Sequence, residues 1–427
     1  MIKKGKLAAV ISVFFSFNAF GSPWLEANDA LLRAHLQTLV DAQLLSSSAN
    51  TFPMRWTQIS EELTSIDAST LSPLLQLSFR YVKHSYDSQR VGRALRGGQL
   101  VWNSEQTASH GFSDTSSQYE WNTSFLSESS GQYHAYRINA NYGKEWQESD
   151  NEFHLTGSYV ALGDGVWQIT LDQLERWWGN GWANSLSWSQ KGQPLENINI
   201  GHIIDTPYTK DIWVETNLSK LNQPIGAKYL WSSRLSGRAW LLDYGISTQY
   251  AFDGDKALQN TTTSSNGVFF NKDLRNTFDI RASIPFSNGV SSSIYGLYSH
   301  HISETDADNE VVMFGADAQW MMLNTALRMY IETLEWKRDE RADLTHLATA
   351  PDPDNTSFGV IASLPNDHTI RLGYRDFTHG TDDESLKSIY SSYSLYAFSG
   401  ITEIGLAYED TEKKSEYSFN LGWTFRF

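Results

Sequence analysis

The sequence predicts a mainly β protein, a transmembrane antiparallel β-barrel of about eighteen strands preceded by a small N-terminal helical bundle. Three observations carry this expectation: an export-type leader, an aromatic-rich yet polar composition, and a final segment that alternates strictly between apolar and polar residues. The chain of 427 residues holds 16 Trp, 20 Tyr and 21 Phe, while 19% of its residues are charged and its mean hydropathy is −0.41. A membrane barrel reconciles these values, because lipid-facing and lumen-facing side chains alternate and the average cancels. Composition alone also admits a large secreted β-sandwich or propeller.

The leader spans residues 1–21. Lys3, Lys4 and Lys6 precede an apolar run from Leu7 to Phe20, and Ala19-Phe20-Gly21 offers small residues at a cleavage position. The run is too short to span a bilayer as a helix, and no later window approaches the necessary length. Loss of the three leader lysines moves the formal charge from −16 to −19, which disfavours nucleic acid as a partner. Cysteine is absent, so disulfides, thiolate metal sites and a cysteine nucleophile are all excluded.

Residues 22–95 repeat apolar positions at helical spacing: Leu32, Leu36, Leu39; then Trp56, Ile59, Leu63, Ile66; then Leu75, Phe79, Val82, Tyr86. Ser72-Pro73 suits a helix start, with serine as N-cap and proline in the first turn. Three short helices are expected at or inside the periplasmic mouth, as a plug or as a free periplasmic handle.

Residues 96–427 read as the barrel. In YSFNLGWTFRF the odd positions Tyr417, Phe419, Leu421, Trp423, Phe425 and Phe427 are apolar and the even positions small or polar. That is the length of a tilted membrane strand, and Trp423, Phe425 and the terminal Phe427 resemble the signal by which outer-membrane barrels are recognised for assembly. Upstream segments repeat the alternation. Arg137, Asp279, Arg281, Arg328, Glu332, Arg371 and Arg375, with Asp243, should face the lumen, since a charge facing lipid at midplane costs roughly 2–4 kcal/mol. Such residues could form a channel constriction or pair across a closed lumen. Turn-rich stretches at 252–267, 303–310, 348–357 and 378–385 read as surface loops.

The common enzymatic motifs are absent. His300 and His301 are neighbours, so on a strand they point to opposite faces and cannot share an ion. Asp306 and Asp308 lack the glycine and distal glutamate of a calcium loop. No metal, cofactor or catalytic residue is therefore assigned. The most distinctive stretch is ERWWGNGWANSLSWS, which places Trp177, Trp178, Trp182 and Trp188 around a Gly-x-Gly turn beside Arg176. Indoles stack on the C–H face of a pyranose, and a guanidinium can hold a sugar carboxylate in two hydrogen bonds. Rim tryptophans can equally serve as an interfacial belt, which suits Trp177 and Trp188, or the block can pack inside the barrel as a brace.

The block RWWGNGW with SLSW after it, the segments ANDALLRAHLQTLVDAQLL and TFPMRWTQISEEL, MYIETLEW and the aromatic terminal strand together resemble the Wzi family of capsule assembly proteins. Asn180 stands where family members commonly have proline. The resemblance implies an eighteen-stranded outer-membrane barrel of a Gram-negative bacterium, a lectin-like role without catalysis, and capsular or extracellular polysaccharide as ligand. On that reading Arg176, Trp177, Trp178, Trp182 and Trp188 are the candidate polysaccharide-binding residues. The expected surroundings are outer-membrane lipid and lipopolysaccharide, with barrel assembly machinery during biogenesis and the protein as a monomer. A porin-like diffusion channel for oligosaccharides or polar solutes, and an outer-membrane hydrolase, are the alternatives.

Overall fold

A computed structural model describes residues 23–90, 95–114, 118–146, 150–190, 194–205, 212–221, 227–253, 272–302, 309–337, 354–379, 384–411 and 414–426. The expected leader, Phe427, Asp306 and Asp308 lie outside them, as do most of the four acidic or turn-rich stretches.

Antiparallel strands from Leu95–Asn103 to Ser415–Arg426 close on themselves, the last pairing with the first through Trp423 opposite Leu100 and Leu421 opposite Trp102. Glu152–His154 and Tyr159–Gly163 both pair with His134–Glu145 and form one interrupted stave, so the barrel has eighteen. The interruption falls where Gly157 adopts φ +87°, a conformation that glycine enters without steric cost. An even strand number brings both ends of the barrel to one rim. That rim also carries the two-residue turns 240–241, 288–289, 323–324 and 398–399, which identify it as periplasmic, where such barrels keep their turns short.

The alternation read from the sequence holds along the wall. Ile138, Phe278, Ile280, Ile331 and Leu372 point outward and are exposed, whereas Arg137, Asp279, Arg281, Arg328, Glu332 and Arg375 face inward and are buried. The outward residues form the apolar band that lipid must cover. This surface places the protein in an outer membrane.

The N-terminal segment forms helices α1 (Ala30–Asp41), α2 (Ser60–Ser65) and α3 (Pro73–Arg90). The Asp29 side chain caps α1 by accepting from the Leu32 amide at 2.8 Å. Helix α3 begins at Pro73 as expected, but the Ser72 hydroxyl has no hydrogen-bond partner, so the proline rather than a serine cap marks its start. All twelve residues of α1 are buried. Its leucines join one core with Tyr295, Leu297, Met313, Tyr330 and Ile361 of the barrel wall. The segment is therefore a plug lying in the lumen, not a free handle. Helix α1 buries its apolar face between the wall and the rest of the plug, with Leu75, Val82 and Tyr86 of α3 joining the same core.

Candidate functional site

The centre of the lumen is where chain from the two ends of the barrel meets. The plug reaches it from the periplasmic side. From the other side come residues 104–114 and 173–190, which leave the tops of strands Leu95–Asn103 and Trp167–Asp172 and fold inward. Trp177–Trp178 pairs as a short antiparallel ladder with Thr51–Phe52 of the plug, and the Gly179 amide donates to the Asn50 carbonyl at 2.8 Å. Gly181 is required by close approach: a Cβ there would lie 2.1 Å from the Asn184 carbonyl oxygen.

Arg33 of α1 is the pin between these segments. Its guanidinium donates to the carbonyls of Gly181 at 2.9 Å and Asn180 at 3.1 Å, and lies 4.4 Å and 4.3 Å from the ring centroids of Phe112 and Trp182. Burial lowers its pKa to about 9, with Tyr295 and Glu332 opposing that shift, so the side chain stays cationic at neutral pH and donates throughout.

The wall grips both segments through the charges placed in the lumen from sequence. Glu332 accepts from the backbone amides of Trp182, Ala183 (3.1 Å) and Asn184 (2.9 Å), from the Asn184 side chain (3.0 Å) and from the Tyr295 hydroxyl (2.9 Å). Successive amides converging on one carboxylate make an anion-binding nest filled by the protein itself. Asp279 pairs with Arg234 at 2.9 Å and accepts from Asn50 of the plug (2.9 Å) and Asn180 of the inward loop (2.8 Å). Arg375 binds Asn184 (2.7 Å) and the Ser109 carbonyl (2.5 Å), while Arg371 binds the Ser113 hydroxyl (2.9 Å) and the Phe112 carbonyl (3.0 Å).

At the other end of α1, Asp41 accepts from Arg281 (3.0 Å), Ser283 (2.8 Å) and Ser291 (2.6 Å). Burial opposes its ionisation, but the neighbouring Arg281 guanidinium outweighs that and holds the carboxyl well below the usual range. Arg328 donates to Gln319 (2.8 Å) and to the Ala34 carbonyl of α1 (3.2 Å), Arg137 to Glu26 (2.8 Å) and Glu128 (3.0 Å), and Asp243 accepts from Arg238 (2.7 Å). Buried pairs of this kind contribute little net stability over apolar packing. What they do here is fix which surface of the plug meets which strands.

The candidate polysaccharide-binding block is inside this assembly. Trp177, Trp178, Trp182 and Trp188 are each no more than 3% exposed, and Arg176 is held by both oxygens of Asp172 at 2.8 and 3.0 Å. No indole face is open to a sugar, and none of the four lies in an interfacial belt; the block braces the lumen. Trp178 and Trp188 pack edge to face 5.9 Å apart, and the Trp177 indole donates to the Gly181 carbonyl at 3.0 Å. At the closure, Trp423 and Phe425 stack 4.5 Å apart on the last strand. Sequence reasoning missed Arg33, Asp41, Asn50 and Asp172, the partners that turn wall charges into contacts. His301 is buried and His300 is not, so the two rings sit on opposite sides of the wall.

Between the plug and one side of the wall remains a cavity of about 460 Å³, lined by Glu26, Asp29, Asp114, Glu175, Arg137 and Arg371 among others. Glu175 is half-buried and lines this cavity. Burial, reinforced by Asp114 and Glu26, pushes its carboxyl up to about 8.

No protein family and no curated protein matches the sequence. Among solved structures, the fold is similar to that of Wzi, an outer-membrane protein involved in group 1 capsule assembly in Escherichia coli and a carbohydrate-binding β-barrel. The TM-score is 0.77 over 95% of this chain and 99% of that one, at 16% identity. OccK2 (OpdF) of Pseudomonas aeruginosa matches at a TM-score of 0.50 over 78% of this chain and 97% of that one, at 11% identity. The likeness is one of fold and extends over 95% of the chain.

Proposed function

We propose that this protein is a non-catalytic outer-membrane barrel that binds capsular or extracellular polysaccharide and helps hold it at the cell surface. The observation that carries the reading is that plug and inward loop meet at the centre of the lumen, pinned together at Arg33 and gripped by Glu332 and Asp279. A conduit has no use for a lumen filled from both ends, whereas a binding platform needs a rigid floor beneath its loops. The likeness of fold to a carbohydrate-binding barrel over 95% of the chain supports the same choice. Arg176, Trp177, Trp178, Trp182 and Trp188 then act indirectly, holding the floor, and sugar contacts fall to the extracellular loops above it. Lipopolysaccharide is the lipid that the outward apolar band would meet in the outer leaflet, and the aromatic terminal strand is what assembly machinery would read during insertion. The protein acts as a monomer on this reading.

The test uses purified protein in two assays: cosedimentation of protein-bearing vesicles with capsular polysaccharide, and conductance in planar bilayers. The proposal expects saturable binding without steady channel openings. Steady openings together with absent binding would replace it with the diffusion-channel reading.

A further inference from the structure

The periplasmic rim carries an anomaly in its tightest turns. Five successive hairpins around it turn at Trp240, Asn288-Gly289, Leu323-Asn324, Asn366-Asp367 and Phe398-Ser399. All five enter the left-handed region, with φ of +56° at Trp240, +51° at Asn288, +50° at Leu323, +67° at Asn366 and +54° at Phe398. Asn-Gly is the sequence such turns favour, because both residues tolerate positive φ. Bulky residues there are genuine outliers. Yet three of the five place Trp, Leu or Phe at that position, and these side chains are 78%, 90% and 83% exposed. Strain of this kind, kept at side chains that remain largely exposed, points to a partner outside the chain.

We infer that Trp240, Leu323 and Phe398 are feet that enter the headgroup and upper acyl region of the inner-leaflet phospholipid of the outer membrane and set the depth and tilt of the barrel. Two features choose lipid over a protein partner. The three turns alternate with the asparagine turns across ten consecutive strands, so neighbouring feet stand roughly 19 Å apart along the wall at the usual strand spacing. A plane meets all three, whereas a compact partner would meet one. The feet also continue the lipid-facing band: Leu242 and Met322, beside two of these turns, are exposed and outward. Aromatic and aliphatic side chains at this level partition into the interface.

Because the chain has no cysteine, single labels report on each place directly. Leu323→Cys and Phe398→Cys would carry an environment-sensitive fluorophore in phosphatidylethanolamine/phosphatidylglycerol vesicles containing lipid with a shallow nitroxide. Phe278→Cys serves as the lipid reference and Asp87→Cys, on the exposed side of α3, as the aqueous one. The inference expects the rim labels to emit blue-shifted light, to be quenched by the nitroxide lipid and to be shielded from aqueous iodide, as at residue 278. Iodide quenching equal to that at residue 87 would overturn it, and so would shielding that appears only at high protein density, the mark of a second copy. Independently, Leu323→Asn with Phe398→Asn relieves the backbone strain, so Tm should rise in short-chain detergent and rise less in vesicles, where lipid contact is lost. An equal rise in both would show that lipid contributes nothing at these turns.

Discussion

Replacing Glu332 by alanine tests whether the inward loop is held by the wall. The carboxylate accepts five hydrogen bonds, three of them from the consecutive amides of Trp182, Ala183 and Asn184, and is 1% exposed. Its removal strands those buried amides, each at about 1–3 kcal/mol. Part of this is recovered because the buried charge no longer needs desolvating. A net loss of about 3–5 kcal/mol is expected, in line with breaking other buried charge constellations. With 1.4 kcal/mol per decade, opening of the loop becomes roughly 100- to 3,000-fold more frequent. Hydrogen exchange read on a peptide covering residues 182–184 measures that change, with heat modifiability on gels showing that the barrel itself persists. Exchange within a factor of about three of wild type, equivalent to under 1 kcal/mol, would refute the reasoning. The loop would then be held by its own packing.

Arg33→Met keeps bulk but removes the donors to Gly181 and Asn180, so the pin should weaken by about 2–4 kcal/mol, and channel steps should appear in planar bilayers more often than the wild-type protein gives them. Trp178→Ala empties a fully buried site at a cost of about 3–5 kcal/mol, and polysaccharide binding should weaken while the barrel remains heat-modifiable; unchanged binding would separate the block from function. Glu175 binds its proton more tightly folded than unfolded, its carboxyl standing at about 8 against an ordinary 4.5, so its contribution to stability is full below pH 4.5 and lost as pH rises through 8. Glu175→Gln should flatten that part of the Tm–pH profile. His35 has the opposite sense: buried against Ser78 at 3.0 Å, it is pushed down to about 3 by burial and by Arg328, so stability falls as pH drops below 6.5 and His35→Gln should lessen the acid loss.

Much of the barrel was legible because its rule is local. A period of two forces Arg281 and Ile280 to opposite sides of the wall whatever lies elsewhere in the chain, and the expense of a charge in lipid decides which side is which. The helical stripes around Leu36 and Val82 were legible for the same reason. What those faces pack against was not, because plug and handle need the same amphipathic pattern. The tryptophan block shows the limit most clearly. An indole at a rim, in a sugar site or in a filled lumen has one sequence signature, and only the partners separate them: Asp172 four residues from Arg176, but Thr51 and Phe52 more than a hundred residues from Trp177 and Trp178. Arg33 and Asp41 sit on a helix whose leucine spacing attracts attention away from them, and nothing local announces that their partners lie on distant loops and strands. The turns at Leu323 and Phe398 escaped notice because a bulky residue at positive φ contradicts the propensities by which turns are read.

The measurement that bears most directly on function is the fraction of polysaccharide that remains cell-associated in the source bacterium, with and without this gene, at matched total production. An anchoring barrel predicts that deletion moves polysaccharide into the medium and that the wild-type gene restores retention. Unchanged retention, with production and export intact, would contradict the account and leave the plugged barrel in need of another ligand.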